Sequence, residues 1–285
     1  MNTELIQIRD NQRNSWNSFS GGWNKWDDFT MRFLKEQGQC IIDELSLKPT
    51  DKVLDIASGT GEPGLTIAAT IRNGGSVIAT DLSEQMLEIA EVKASAMALD
   101  NFSVEVADAC ELPFEDNTFD AISCRLGFMF FPDMQLAARE MMRVLKPGGV
   151  LVTTVWAEPE KNAWITTIMG ALKKHLDLPA PEPQKPGLFR CAAGGFLTSL
   201  FSELGFSGAT EKTIAGIMNC DSADEYWNFM NDVVPPVVSA LKNTSQQIQN
   251  QIKQDVINVF EDKAAKAMAQ TPYAARLFTV RKPNQ

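Results

Sequence analysis

The stretch Val53-Leu54-Asp55-Ile56-Ala57-Ser58-Gly59-Thr60-Gly61-Glu62-Pro63-Gly64 decides the fold. Val53, Leu54 and Ile56 read as the end of a buried strand, and the small residues and glycines after them let the backbone turn sharply and come close to a ligand. Pro63 suits the first turn of a helix, where its missing N–H costs little, and Leu65, Ile67, Ala68 and Ile71 carry that helix on as an apolar stripe. Strand, glycine loop and helix in this order aim free N–H groups and the positive end of a helix at one spot. That arrangement predicts a nucleotide-like ligand.

Two ligand classes fit the glycines. Gly59, Gly61 and Gly64 satisfy the dinucleotide fingerprint G-x-G-x-x-G, and Asp81 follows about twenty residues on, where that fingerprint places a ribose-binding acid. Asp55 opposes this assignment, because a carboxylate at the strand end would repel a pyrophosphate lying over the same loop, whereas it suits an ammonium group. The run D-I-A-S-G-T-G from Asp55 to Gly61 resembles the cofactor loop of class I S-adenosylmethionine-dependent methyltransferases. The resemblance implies that Asp55 lies near the amino group of the methionine moiety.

Later segments repeat the resemblance in order. Ser76 to Thr80 reads as a second strand ending at Asp81, whose carboxylate can accept from both hydroxyls of a ribose; its alternative role is an acid leading the helix that starts near Ser83. Leu82 and Met86 would flank an adenine. Phe102 to Val106 is a third strand, followed by Asp108, Ala109 and the run Leu112-Pro113-Phe114-Glu115-Asp116-Asn117-Thr118-Phe119-Asp120. A D-A-x-x-L-P-F-x-D-x-x-F-D pattern resembles the methyltransferase group of ubiquinone and menaquinone biosynthesis, which implies that Asp108 receives the adenine amino group. Arg143-Val144-Leu145-Lys146-Pro147-Gly148-Gly149 resembles that group's R-V-L-K-P-G-G turn, a structural element before a fifth strand from Val150 to Val155. Close resemblance covers residues 50 to 156.

The fourth strand, Ala121 to Cys124, delivers Arg125 and then Phe128 to Phe131 to the carboxyl edge of the sheet, where open α/β sheets hold ligands. Arg125 is a candidate for either ligand: it can orient an anionic substrate or pair with a nearby acid. Of the phenylalanines, Phe128 is the candidate to face a substrate. Toward the N-terminus, Trp16, Phe19, Trp23 and Trp26 either pin a helix to the domain or roof the cofactor. The resemblance implies a roof with a Tyr-Asp pair, for which Trp26-Asp27 stands here, so Phe19 and Trp26 enter the candidate cofactor set.

Residues 220 to 270 read as a helical insertion between the last two strands, taken as Phe206 to Ile214 and Ala274 to Val280. Tyr226, Trp227, Phe229, Met230, Val233 and Val234 form one apolar helix, and Ile248, Ile252, Val256 and Phe260 another. Placed over the carboxyl ends of the strands, the insertion is expected to act as a lid, with Trp227 and Met230 touching the substrate. His175 is the chain's single imidazole. It ends a predicted helix, where the dipole favours histidine without any function, and is the candidate base for a hydroxyl acceptor. Amine or carbanion acceptors can proceed with an Asp, a Glu or no base.

With 285 residues, 44% hydrophobic and 22% charged, the chain can bury one large core with an appended subdomain. A net charge of −10 disfavours nucleic acid or an anionic membrane as partner. Residues 1 to 14 are polar and unlike a signal peptide, no apolar run has the length of a membrane span, and five scattered cysteines with no C-x-x-C suggest neither zinc nor disulfides. A cytoplasmic monomer or homodimer with reduced thiols, no metal and a small-molecule substrate is expected.

The reading is therefore an α/β fold: a doubly wound, mainly parallel, seven-stranded Rossmann-like sheet with helices on both faces and, by the resemblance, an antiparallel last strand. Residues 1–48 form an N-terminal helical cap, 49–219 the S-adenosylmethionine-binding core, 220–270 the lid and 271–285 the final strand. The expected activity is methyl transfer from S-adenosyl-L-methionine to a small, partly apolar acceptor. The rivals are an NAD(P)-dependent oxidoreductase and a non-catalytic nucleotide-cofactor-binding module.

Overall fold

Strands Lys52–Ile56 (β1), Ser76–Asp81 (β2), Phe102–Val106 (β3), Phe119–Arg125 (β4), Leu145–Trp156 (β5), Ser207–Cys220 (β6) and Ala269–Arg281 (β7) make one seven-stranded sheet in the order β3-β2-β1-β4-β5-β7-β6. They are seen in a computed structural model that describes residues 2–180, 182, 184–261 and 269–284. The first five strands are parallel, and β7 runs antiparallel to both β5 and β6. Strand order reverses between β1 and β4, so the crevice at their carboxyl ends is where such a sheet takes a ligand.

Apolar strands placed the centre of this sheet. Val53, Leu54 and Ile56 of β1 and Ala121, Ile122 and Cys124 of β4 are buried, the continuous pattern expected of strands covered on both faces. The last two strands run well past their expected ends. β5 stops at Trp156 opposite Ala275, whereas β6 and β7 continue as a two-stranded ribbon as far as Cys220 opposite Ala269. One side of the ribbon is exposed, so this part of the sequence carries no continuous apolar run.

The helices are Thr3–Lys25 (α1), Asp27–Leu45 (α2), Gly64–Thr70 (α3), Glu84–Ala96 (α4), Met134–Val144 (α5), Ala163–His175 (α6), Phe196–Glu203 (α7), Ala223–Val233 (α8), Pro235–Lys242 (α9) and Gln246–Glu261 (α10). Caps set several starts: Ser83 Oγ accepts from Met86 N at 3.2 Å to begin α4, and Asp133 Oδ1 accepts from Leu136 N at 2.9 Å to begin α5. α8, α9 and α10 occupy the insertion between β6 and β7; its residues 262–268 lie outside the described residues. α9 had no counterpart in the sequence reading, since Pro235 and Pro236 there suggest a break and instead start a new helix.

Two contacts fix the N-terminal helices over the carboxyl edge of the sheet. Ser83 Oγ donates to Asn17 Oδ1 at 2.6 Å, tying α1 to α4, and Lys93 Nζ meets Asp27 Oδ1 at 2.7 Å, tying the start of α2 to the same helix. At its other end α1 meets α8, where Trp26 Nε1 donates to Asp232 Oδ2 at 2.8 Å. The crossing is close enough that a Cβ on Gly22 would sit 2.1 Å from the Asp232 carbonyl oxygen. Gly22→Ala is therefore expected to destabilise the protein by about 1–3 kcal/mol through overpacking, read from urea unfolding. Wild-type stability in this variant would show that α1 and α8 are not held at this distance.

Candidate active site

The site starts from a buried carboxylate. Asp55, 0% exposed, ends β1 and accepts from Gly64 N at 3.0 Å through Oδ2 and from Ser123 Oγ at 2.6 Å through Oδ1. It thereby joins the helix after the glycine loop to the neighbouring strand β4. Gly64 is needed because a Cβ there would lie 2.8 Å from Asp55 Oδ2, and Gly127 because its Cβ would lie 2.6 Å from that of Ala57. The loops after β1 and β4 are thus drawn together into one floor. Burial pushes the Asp55 carboxyl up to about 7, against the bonds from Ser123 and Gly64 and the charge of Arg125.

Asp81 holds the loop from the other side. Its Oδ2 accepts from Gly59 N and its Oδ1 from Ser83 N, both at 2.9 Å, so it binds the glycine loop and leads helix α4 at once. Burial raises its carboxyl above the ordinary carboxylate range despite these backbone bonds.

Above this floor lies a cavity of about 1310 Å³ including its open mouth, large enough for a nucleoside-sized ligand and a second molecule. Ser58, Gly59, Thr60, Glu62, Asp81, Leu82, Met86, Asp108, Ala109 and Arg125 line it, so seven of the candidate cofactor residues meet there: Gly59, Asp81, Leu82, Met86, Asp108, Ala109 and Arg125. The rest of the wall is mainly apolar, with Gln12 and Thr30 as polar exceptions. Trp16 and Trp23 come from α1, Phe33 and Leu34 from α2, and Met129, Phe130 and Phe131 from the segment after β4. Trp156 ends β5, Trp164 lies on α6, and Phe229, Val233, Val234 and Pro235 come from the insertion. The insertion therefore does close over the strand ends.

Four polar atoms on this wall are buried without a hydrogen-bond partner: Trp23 Nε1, Thr30 Oγ1, Ser58 Oγ and Asp108 Oδ2. Asp108 accepts from Cys110 N at 2.8 Å through its other oxygen, and Arg9 Nη1 stands 3.9 Å from the free one. Orphaned groups gathered on a cavity are what a polar ligand would satisfy. Among the described residues the wall carries three carboxylates, Glu62, Asp81 and Asp108, against one cation, Arg125. This balance fits a cationic ligand and opposes a pyrophosphate.

Other expected site residues sit elsewhere, for reasons of helical phase and depth. Asp55 and Gly61 lie behind the wall: Asp55 is covered by the loop it holds, and Gly61 packs on Leu65 and Ala90. Glu62, whose Oε2 accepts from Thr66 Oγ1 at 2.8 Å, is the loop carboxylate that reaches the cavity. The charge argument made for Asp55 would have found it. On α1 the cavity face is Gln12, Trp16 and Trp23; Phe19 is turned away, and Trp26 is engaged by Asp232. Phe128 is 0% exposed between Phe131 and Phe201 in the core.

On α8 the face toward the cavity carries Phe229 and Val233, four residues apart. The adjoining edge of the same stripe carries Tyr226 and Met230, and Tyr226 OH donates to Trp164 O at 2.8 Å. Met230 and Trp227 are buried but do not line the cavity. His175 does not approach the cavity either; its Nε2 pairs with Asp255 Oδ2 at 3.0 Å and joins α6 to α10. All five cysteines are free, no helix among the described residues is long and apolar enough to cross a membrane, and no cluster of three metal-ligand residues occurs among them.

The Asp55 carboxyl yields a pH prediction. An acid whose native pKa lies above its ordinary value of 3.8 stabilises the fold below that value, and the contribution is lost as pH rises toward about 7. Asparagine can keep the Gly64 bond at its carbonyl oxygen and reverse the other, its amide donating to Ser123 Oγ, without the charge. Asp55→Asn is therefore expected to gain about 2 kcal/mol relative to wild type between roughly pH 5 and pH 8. Parallel unfolding curves for the two proteins across that range would contradict the buried, proton-holding carboxyl.

Comparison with known proteins agrees with this geometry. The demethylmenaquinone methyltransferase of Staphylococcus aureus is 36% identical over 119 residues, 42% of this chain and 48% of that protein, so the chain spans about half the length of the relatives it matches. Among solved structures, the [4+2]-cyclase SpnF superposes with a TM-score of 0.55 at 22% identity, covering 87% of this chain and 80% of that one. The YcgJ protein of Bacillus subtilis does so with a TM-score of 0.58 at 18% identity, covering 87% and 98%. At such identities these two share the fold. The model of the ubiE/COQ5 methyltransferase family matches residues 7–169, the glycine loop, Asp81, Asp108, α2 and most of α1 included, and the chain belongs to that family.

Proposed function

We propose that the chain transfers a methyl group from S-adenosyl-L-methionine to a small aromatic acceptor of the quinol type. The observation that carries this reading is the cavity wall itself: three carboxylates and the free Ser58 and Asp108 oxygens over β1 to β3, and an aromatic wall over β4 and β5. When bound, the cofactor supplies a methyl group made electrophilic by a sulfonium.

The chain's own residues bind and orient. Asp81 is positioned to accept from ribose hydroxyls while keeping Gly59 in place, and Asp108 Oδ2 to accept from the adenine amino group, with Leu82 and Met86 beside the ring. Glu62 takes the part of the acid facing the ammonium, and Asp55 acts beneath it by fixing the loop. Phe33, Trp156, Trp164 and Phe229 would hold the acceptor and exclude water, which leaves donor and acceptor positioned for displacement. The relative's name, demethylmenaquinone methyltransferase, supports a ring of quinone class as the acceptor. Substrate choice would rest on the insertion through Phe229, Val233 and Val234.

S-adenosylhomocysteine is expected to raise the thermal midpoint and NADH to leave it unchanged, because a ligand that binds only the native state stabilises it by mass action. The opposite pattern would restore an oxidoreductase. Asp81→Asn keeps the side-chain volume and can keep the Gly59 bond at its carbonyl oxygen, but gives up the Ser83 bond and the charge, and is expected to weaken S-adenosylhomocysteine by about 2 kcal/mol in calorimetry. Unchanged affinity would restrict Asp81 to holding the loop and leading α4.

A further inference from the structure

Among the described residues the wall's one cation has no side-chain partner. Arg125 ends β4 beside Thr154 of β5 and lines the cavity, and its guanidinium makes no hydrogen bond or ion pair with any described residue. The three acids whose charge it feels are occupied: Glu62 holds Thr66, Asp55 holds Gly64 and Ser123, and Asp27 holds Lys93. α2 crosses above it at Gly38, where an added Cβ would stand 3.7 Å from Nη1, so the guanidinium is screened from bulk water on that side. An arginine partly desolvated in this way without a direct ion-pair partner is costly, and the structure leaves it facing a space that a ligand can enter.

We infer that Arg125 is a specificity-determining residue that pairs with an ionised oxygen of the methyl acceptor, a phenolate or a carboxylate carried on an apolar ring. The inference rests on the proposed methyl transfer and names the acceptor's chemistry. Three observations place the anion on the acceptor. Along the sheet edge, Asp108 follows β3, Asp81 ends β2 and Glu62 follows β1, so the groups suited to the cofactor occupy one half; Arg125 stands on β4, toward β5. The cofactor's sulfonium and ammonium are cations and its carboxylate sits at the ammonium end, so a guanidinium near the transferable methyl is repelled unless an anion of the acceptor lies between. The wall next to Arg125 is an aromatic cluster, with Trp156 and Trp164 centroids 4.8 Å apart and Phe33 5.4 Å from Trp164, which suits the ring that would carry such an oxygen.

The pairing has a chemical consequence. A fixed guanidinium favours the charged form of the acceptor's oxygen, so its proton leaves to solvent before transfer. An electron pair on that oxygen, or on a ring carbon conjugated with it, then forms the bond to the methyl carbon. The carbon–sulfur bond breaks as this happens, and its pair stays on sulfur as a neutral thioether. No imidazole is required, in keeping with the distance of His175 from the cavity.

The test is calorimetry at about pH 8 on protein saturated with S-adenosylhomocysteine, using naphthoate against naphthamide and 4-nitrophenolate against 4-nitroaniline. At least one anion is expected to bind wild type about tenfold more tightly than its uncharged partner, and which pair shows the preference separates carboxylate from phenolate. Arg125→Gln should abolish that preference and Arg125→Lys keep part of it, with S-adenosylhomocysteine affinity within about twofold and the thermal midpoint not lowered in either. Loss of S-adenosylhomocysteine binding in Arg125→Gln would assign the arginine to the cofactor's own carboxylate and overturn the inference while leaving methyl transfer standing. Equal binding of anions and uncharged partners to wild type would overturn it as well.

Discussion

The two hydrogen bonds to the Asp55 carboxyl carry the architecture. They join the end of β1 to β4 through Ser123 and to the start of α3 through Gly64, and these are the two sides of the crevice at which the strand order reverses. With the carboxyl buried, bonds on both its oxygens are obligatory, since an unsatisfied oxygen there would cost more than the bond contributes. The loop between them is left no freedom to collapse into the crevice. Asp81 completes the restraint from β2. Acids that a sequence reading assigns to ligand contact thus have a prior task, which is to keep the contacting atoms where they are.

The same economy applies to the covering helices. α1 and α2 contribute few polar contacts to the sheet; they are positioned by short side-chain bonds at their ends, Ser83 with Asn17, Lys93 with Asp27 and Trp26 with Asp232. Between those points their apolar faces are free to form the cavity wall.

Most of the sheet and its polar half-site were legible in the sequence because the signals are local. A buried strand, a glycine loop and an acid at a strand end each occupy a few consecutive residues, so Gly59, Asp81, Asp108 and Arg125 could be placed without knowing the tertiary structure. Helical faces are different. Tyr226, Phe229, Met230 and Val233 belong to one apolar stripe, and only the packing of Tyr226 on Trp164 and Phe260 decides which edge of it turns inward. Trp16 and Trp23 against Phe19 and Trp26 is the same ambiguity on α1. Glu62 was missed for another reason, since it stands inside a glycine motif whose spacing draws attention to the glycines. The β6–β7 ribbon escaped because strands paired to each other beyond the sheet need no apolar run.

This difference follows from how the two halves of the cavity are built. The half over β1 to β3 uses main-chain geometry, and main-chain geometry is written in glycines and acids at fixed offsets. The half over β4, β5 and the insertion uses side-chain shape, which many sequences can supply, so it carries no comparable pattern. Arg125 is the exception on that side: a charge at a strand end, visible in sequence, whose meaning appears only when the structure shows every neighbouring acid already engaged. A half-buried cation with no ion-pair partner, left open in a wall of aromatic rings, limits what can fill the space more sharply than the rings do, because rings accept most apolar bodies and an unpaired charge accepts few of them.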